Sequence, residues 1–361
     1  MPRQLALSVV VPVRDGAATL AECLGGILSS GLERDDFEII VVDDASTDRS
    51  AAIAARCADT IVRLAGRHTG SAYARNRGAE LARGEAIAFV DPDVKLSPET
   101  LPQMLATLSQ NPVLQGVSAI HGHTPAETNF TSQYWNLLLH YGDNLRPGAS
   151  ANLGSGCAMV RRAALLSTGL YDEWRFGSGG LEGIELGQRM ERAGHDVLVR
   201  TDLQVTHLRR WTAKSVVREV WNRSTLLART LGYQRTRASA PGDVVFTLSR
   251  AVVPGLAIVG TAALSAAFFT ESRVGLLRGA LILATVILAN LSVLTFFMRE
   301  RGLWFALAAT PVHFFYQCVG TTALCAGWLM RDAVGDRLPD AATQAYAEVG
   351  VEMWPPVPRP Q

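Results

Sequence analysis

The sequence predicts an α/β protein with a doubly wound, mostly parallel sheet, followed by apolar helices long enough to cross a membrane. Two observations carry this expectation. Apolar, strand-like runs alternate with helix-like segments early in the chain, and two of these runs end in paired carboxylates. Beyond Arg250, residues 251–270, 279–298 and 302–330 contain no Asp, Glu, Lys or Arg. Alternating strands and helices favour a sheet covered on both faces, whose ligands bind at the carboxyl ends of the strands.

The elements follow in order. Leu7-Ser8-Val9-Val10-Val11-Pro12-Val13 opens the chain as a strand and leads into a helix-like segment, Ala17 to Ser29. Phe37-Glu38-Ile39-Ile40-Val41-Val42 is a second strand. It ends in Asp43-Asp44, and Ala45-Ser46-Thr47-Asp48 then supplies helix N-cap chemistry. Ile87-Ala88-Phe89-Val90 is a third, stopped by Pro92 between Asp91 and Asp93. An isolated Asp-Pro-Asp is most often a polar turn. Two carboxylates at the end of a buried strand also suit a hard divalent cation, Mg²⁺ or equally Mn²⁺, which in turn suits a diphosphate. The second pair of strand-end acids favours the site over the turn.

Four stretches, in this order, resemble the family 2 glycosyltransferases. They are Ser8-Val9-Val10-Val11-Pro12-Val13-Arg14-Asp15-Gly16, Glu38 to Asp48, Ala74-Arg75-Asn76-Arg77-Gly78, and Phe89-Val90-Asp91-Pro92-Asp93. The resemblance implies a GT-A nucleotide-sugar domain over residues 1–235 and inverting transfer. It implies donor-binding roles for Pro12, Asp43, Asp44, Arg75, Asp91, Asp93 and Arg210. Asp43 or Asp44 would contact the nucleotide base, and Arg75 would help hold it. Asp91 and Asp93 would form the Asp-x-Asp motif for the metal and diphosphate. The chemistry is consistent: a divalent ion bridging both phosphates neutralises the charge that develops as the sugar departs.

Downstream, Gly180 to Met190 has helical apolar spacing. Similar enzymes carry Glu-Asp here, with the Asp as general base on the acceptor hydroxyl. This chain has Glu182 followed by Gly183. Glu182 is the first substitute for the base, and Glu185, one turn on, is the second. Both also suit a helix N-terminus through the macrodipole. If neither serves, the chain is a catalytically impaired sugar-nucleotide-binding or assembly protein that keeps the fold. Val205-Thr206-His207-Leu208-Arg209-Arg210-Trp211 resembles the Gln-x-x-Arg-Trp motif of membrane-bound members, with His207 in the Gln position. The resemblance puts Arg210 at the diphosphate and Trp211 beside the acceptor, and His207 is a candidate third metal ligand. A lone His is otherwise an ordinary hydrogen-bonded structural residue.

From Leu203 to Arg250 the chain has nine Lys or Arg against Glu219 and Asp243, interleaved with Trp211, Trp221 and aliphatic residues. Such a stretch before apolar runs suits an interface with an anionic leaflet. It puts the N-terminal domain in the cytoplasm of a multi-pass protein of the cell membrane. The boundaries expected are a domain over 1–235, a basic connector over 236–250, about three transmembrane helices over 251–330 and a flexible tail over 331–361. A two-span hairpin with a surface helix is the competitor, since Pro254 and Pro311 interrupt two runs. With three spans the tail lies outside. The partners implied are a nucleotide-sugar donor, a lipid-linked or glycan acceptor and the membrane. Nucleic acid is disfavoured by a net charge of +1 and the lack of a nucleic-acid motif. The N-terminus lacks a signal-peptide pattern. Five cysteines without Cys-x-x-Cys spacing suggest reduced thiols rather than a disulfide frame or zinc site. Residues 129–150 read equally as a mobile acceptor-side loop or as a surface helix and turn.

Overall fold

The computed structural model describes residues 5–65, 70–145, 148–149, 152–154, 156–176, 180–235, 272–330 and 350–354, with isolated positions between 260 and 270. The chain divides into two compact units, one of residues 1–210 with 337–361 and one of residues 211–336. The first boundary therefore falls after Arg210, ahead of the expected residue 235.

The first unit is built on strands β1 (Leu7–Val13), β2 (Phe37–Asp44), β3 (Thr60–Ala65), β4 (Ala86–Val90), β5 (Val94–Lys95), β6 (Leu114–His121), β7 (Gly148–Ala149), β8 (Cys157–Arg161), β9 (Asp196–His207) and β10 (Gly350–Trp354). Their order is β10-β3-β2-β1-β4-β8-β6-β9-β5, with β7 on β9. The β3-β2-β1-β4 half is parallel, as expected. The other half is mixed: β8 runs antiparallel to both β4 and β6, β6 and β9 are parallel, and β5 and β7 are antiparallel to β9. "Mostly parallel" thus describes only the N-terminal half. β10 adds an antiparallel edge beside β3, so part of the expected flexible tail is a strand.

The near-continuous apolar runs follow from burial on both faces. Val9, Val11, Ala88 and Val90 enter one core, whereas Val10, Ile40, Ile87 and Phe89 enter the other. Helices α1 (Leu20–Leu28), α2 (Ser50–Ala54), α3 (Ser71–Leu81), α4 (Thr100–Gln110), α5 (Phe130–Asn144), α6 (Arg162–Thr168) and α7 (Glu182–Arg192) connect the strands. Residues 130–144 are therefore a helix rather than a loop, and its Tyr134 and Trp135 are buried.

The second unit comprises α8 (Ala213–Arg235), α9 (Arg273–Ala289), α10 (Leu291–Arg301) and α11 (Leu303–Leu329). Among the described residues no single helix is long and apolar enough to cross a membrane, and one pair, α9 with α10, meets the requirement only with a 58° bend between its members. The run over 279–298 breaks at Asn290, the run over 302–330 is one helix containing Pro311, and the run over 251–270 lies largely outside the described residues.

Candidate active site

The loop after β4 is pinned from three sides. Asp91 N donates to Gly156 O at 2.8 Å, extending the β4–β8 pairing by one residue. Leu208 N donates to Asp93 O at 2.7 Å, and Thr19 Oγ1 donates to Pro92 O at 2.8 Å. With the backbone held, both carboxylates keep an open side: Asp91 and Asp93 side chains are 33% and 24% exposed.

A buried chain of charge runs back from this loop. Arg75, on α3, donates to Asp91 Oδ1 at 2.6 Å and to Glu182 Oε1 at 2.7 Å. Ser71, one turn before Arg75, donates to the same Glu182 oxygen at 2.6 Å. Glu182 starts α7 and is buried, and its Oε2 has no hydrogen-bond partner among the described residues. Burial disfavours the Glu182 charge, yet Arg75 and Ser71 hold its carboxyl below the usual range. Burial, reinforced by Asp93, raises the Asp91 carboxyl despite Arg75. Asp93 is held low against the effect of burial by His207, with Arg209 and His121 adding to it. Arg75 thus bridges two carboxylates from different elements.

The acids at the end of β2 hold loops together. Asp43 Oδ1 accepts from Ser46 N at 3.0 Å, and Arg63 Nε lies 3.7 Å from Oδ2. Asp44 Oδ2 accepts from Gly70 N at 3.0 Å, and its carbonyl accepts from Arg14 at 3.1 Å. Ala45 takes a positive φ of 54° and Asp15 one of 47° at this edge. Asp15 receives Thr47 N at 2.8 Å, and Asp48 receives Ala17 N at 2.9 Å, so the loops after β1 and β2 form one ledge. Pro12 is buried inside β1 opposite Val42 rather than on that ledge.

At α7 the missing Asp has a steric cause. A Cβ on Gly183 would stand 2.6 Å from Leu153 O and 2.8 Å from Gly154 Cα. The backbone of Leu153 and Gly154 lies directly against α7 at this point. Glu185 is unsuited as the base: Arg189 engages both its oxygens, at 2.7 and 2.9 Å, and ties them to the carbonyls of residues 168–170.

His207 Nε2 stands 3.7 Å from Asp93 Oδ2, as a counter-group rather than part of a formed ligand triad. Beyond it, His121 lies with its ring centroid 5.3 Å from that of His207 and bonds Asp143 Oδ2 through Nδ1 at 3.0 Å. Arg210 is exposed, 3.8 Å from Glu127. Trp211 begins the other unit. Ser71, His121 and Asp143 were not anticipated. Ser71 was findable, because a spacing of four from Arg75 shares a helix face. His121 and Asp143 become neighbours only through packing.

Among the described residues no three His, Cys, Asp or Glu side chains converge as a self-sufficient metal site. The residues nonetheless fit a divalent ion that takes part of its shell from substrate. Arg75 occupies only Oδ1 of Asp91, and His207 is beyond hydrogen-bond distance of Asp93. Mg²⁺ keeps waters and phosphate oxygens, so two carboxylates suffice.

Comparisons with known proteins concern the family and the fold of the N-terminal stretch. Residues 8–168 match the family model "Glycosyl transferase family 2". The undecaprenyl-phosphate 4-deoxy-4-formamido-L-arabinose transferase of Pseudomonas aeruginosa is 33% identical over 139 residues, covering 37% of this chain and 41% of that protein. The poly(ribitol-phosphate) beta-glucosyltransferase of Bacillus spizizenii is 32% identical over 100 residues, covering 26% of this chain and 16% of that protein. The chain thus spans under half the length of either relative. A mannosyltransferase from Pyrobaculum calidifontis, solved with GDP-Man and Mn²⁺, shares the fold at a TM-score of 0.56 and 19% identity, covering 93% of this chain and 88% of that one. The likeness to the family 2 glycosyltransferases is thus carried by the stretch from Ser8 to Thr168.

Proposed function

We propose that the protein is an inverting, metal-dependent glycosyltransferase that moves a sugar from a nucleotide-sugar donor to a lipid-linked or polysaccharide acceptor at the cytoplasmic face of a membrane. The observation that carries this reading is the Asp91–Arg75–Glu182 chain. It joins Asp91 through Arg75 to Glu182, whose buried Oε2 has no hydrogen-bond partner among the described residues, and so supports pairing a base with acids at the metal. The relatives named for undecaprenyl-phosphate and poly(ribitol-phosphate) chemistry support the acceptor class, and the basic stretch from Leu203 supports the membrane.

In this mechanism the ledge of Asp43, Asp44 and the loop after β1 would receive the nucleoside, and Asp91 and Asp93 would hold the metal. The ion, when bound, neutralises the diphosphate leaving group. Glu182 accepts the proton of the acceptor hydroxyl through Oε2. The hydroxyl oxygen forms the new bond to the anomeric carbon, the bond to the phosphate oxygen breaks with its electron pair, and the nucleoside diphosphate leaves. Arg75 keeps Glu182 ionised and the two acids in register.

Gly183 favours a second reading, a protein that binds the donor without turning it over. One assay separates them: metal-dependent release of nucleoside diphosphate from a panel of nucleotide sugars, with membrane extract as acceptor. Turnover lost in Glu182→Gln supports the enzyme. Donor binding without turnover in the native chain supports the second reading.

A further inference from the structure

Strand β10 constrains everything between the two halves of its unit. It pairs antiparallel with β3, with Gly350 opposite Ala65 and Trp354 opposite Ile61. The chain leaves this unit after Arg210 and rejoins it by Arg337. Two strands of one sheet cannot lie on opposite sides of a bilayer. Whatever membrane the intervening helices enter, they must leave by the side they entered. The expectation of three spans with an outside tail is therefore excluded by the pairing itself.

Packing inside the helical unit says how the chain manages this. A Cβ on Gly327 would meet Thr225 O at 2.6 Å and Ala228 Cβ at 2.9 Å, while Gly320 sits over Val220 and Ser224. Both positions advance together, so α8 and α11 run side by side in the same direction. α8 carries Lys214, Arg218, Glu219, Arg223 and Arg229, too many charges for a lipid-spanning helix. A helix packed along it shares its depth. The other pair is bent by 58° at Asn290. Gln317 Nε2 donates to Asn290 Oδ1 at 2.7 Å, and His313 Nε2 lies 3.2 Å from the same oxygen, so α11 holds the bend from within.

These helices present apolar side chains outward: Leu277, Leu281 and Leu288 on α9, Trp304 and Leu307 on α11, then Trp328 and Leu329 at its end. Between Trp211 and Met330 there are eleven Lys or Arg against four Asp or Glu. Exposed apolar side chains, among them two tryptophans, on a segment with an excess of cations suit one leaflet of anionic phospholipid.

We propose that helices α8, α9, α10 and α11 bind a single leaflet of an anionic bilayer without crossing it, so that the sheet and β10 stay on one face. This rests on the membrane reading above and replaces its spans with a one-sided platform. The test uses the full chain with a C-terminal tag. Flotation is measured with phosphatidylglycerol-containing and with purely phosphatidylcholine vesicles. The expected result is at least about tenfold more bound protein on the anionic vesicles, decreasing with salt. Tag and N-terminal domain are then probed by protease in sealed inside-out membrane vesicles, where both are expected to be digested. Lipids brominated near the headgroup or near the chain end locate Trp304 and Trp328, each isolated by difference from Trp304→Phe and Trp328→Phe. Stronger quenching by the shallow bromines is expected. Protection of the tag alone, or stronger deep quenching, would overturn the one-sided platform while leaving membrane binding intact. Failure to float on either vesicle would overturn both. Nucleoside diphosphate release, measured separately, reads the glycosyltransferase proposal and none of these outcomes.

Discussion

Replacing Gly183 is the sharpest test of why the usual base is missing. Ordinary van der Waals contact begins near 3.4 Å, and a Cβ at 183 would stand 2.6 Å from Leu153 O, short by 0.8 Å. The opposing atoms are backbone, so no side-chain rotation relieves the overlap. Leu153 N also donates to Gly183 O at 3.3 Å, which stiffens the contact. Overpacking of this kind costs about 1–3 kcal/mol. Losing the hydrogen bond adds about 1 kcal/mol. A Gly-to-Ala change in a helix returns up to about 1 kcal/mol through propensity. The overlap wins, and Gly183→Ala is expected to be destabilised by about 1–3 kcal/mol, lowering Tm by roughly 3–10 °C for a unit of this size. Gly183→Asp should lose more and gain no turnover. Thermal unfolding followed by circular dichroism, with nucleoside diphosphate release in parallel, reads both effects. A Gly183→Asp protein that melts within a degree of the native chain and turns over faster would refute the steric argument and Glu182 as base together.

Other outcomes follow from the buried charges. Glu182→Gln should lower kcat by about 10²–10⁴-fold, the range for a general base, while donor affinity measured by calorimetry stays within a few fold. Its effect on stability should depend on pH. Because Glu182 is held below its ordinary value of 4.5, the native advantage over Glu182→Gln is full above that value and disappears as pH falls through the folded-state value, as urea titrations at several pH values would read. Arg75→Met leaves Asp91 and Glu182 without their shared cation, and a loss of about 3–5 kcal/mol in denaturant unfolding is expected. Asp91→Asn and Asp93→Asn should each weaken Mn²⁺ binding in the presence of donor, and chelation should abolish turnover in the native chain. Retained turnover in chelator would remove the metal from the proposal.

How much of this was legible follows from what each signal depends on. The apolar runs of β1, β2 and β4, and the acids that end β2 and β4, are consequences of a buried parallel half-sheet, and a local pattern reports them directly. The mixed half is not legible in the same way, because β8 meets β4 and β6 across long separations and its short run fits either direction. Glu182 could be nominated by position, but its ionised state depends on Arg75, more than a hundred residues earlier. Glu185 is equivalent to it by local pattern alone, and only its pairing with Arg189 sets it apart. The uncharged C-terminal runs signalled an apolar surface, yet hydropathy cannot distinguish a crossing from a one-sided platform.

By itself, then, the sequence determined the parallel half-sheet: which strands are buried and where the carboxylates stand. These depend on residues close together in the chain. Only the tertiary structure decided the surroundings of Glu182 and the topology. Gly183 is required by the backbone of residues 153–154, Arg75 is claimed by two carboxylates from different elements, and β10 returns to β3 across the whole helical unit. Each is a contact between distant segments, set by packing and desolvation rather than by any local pattern.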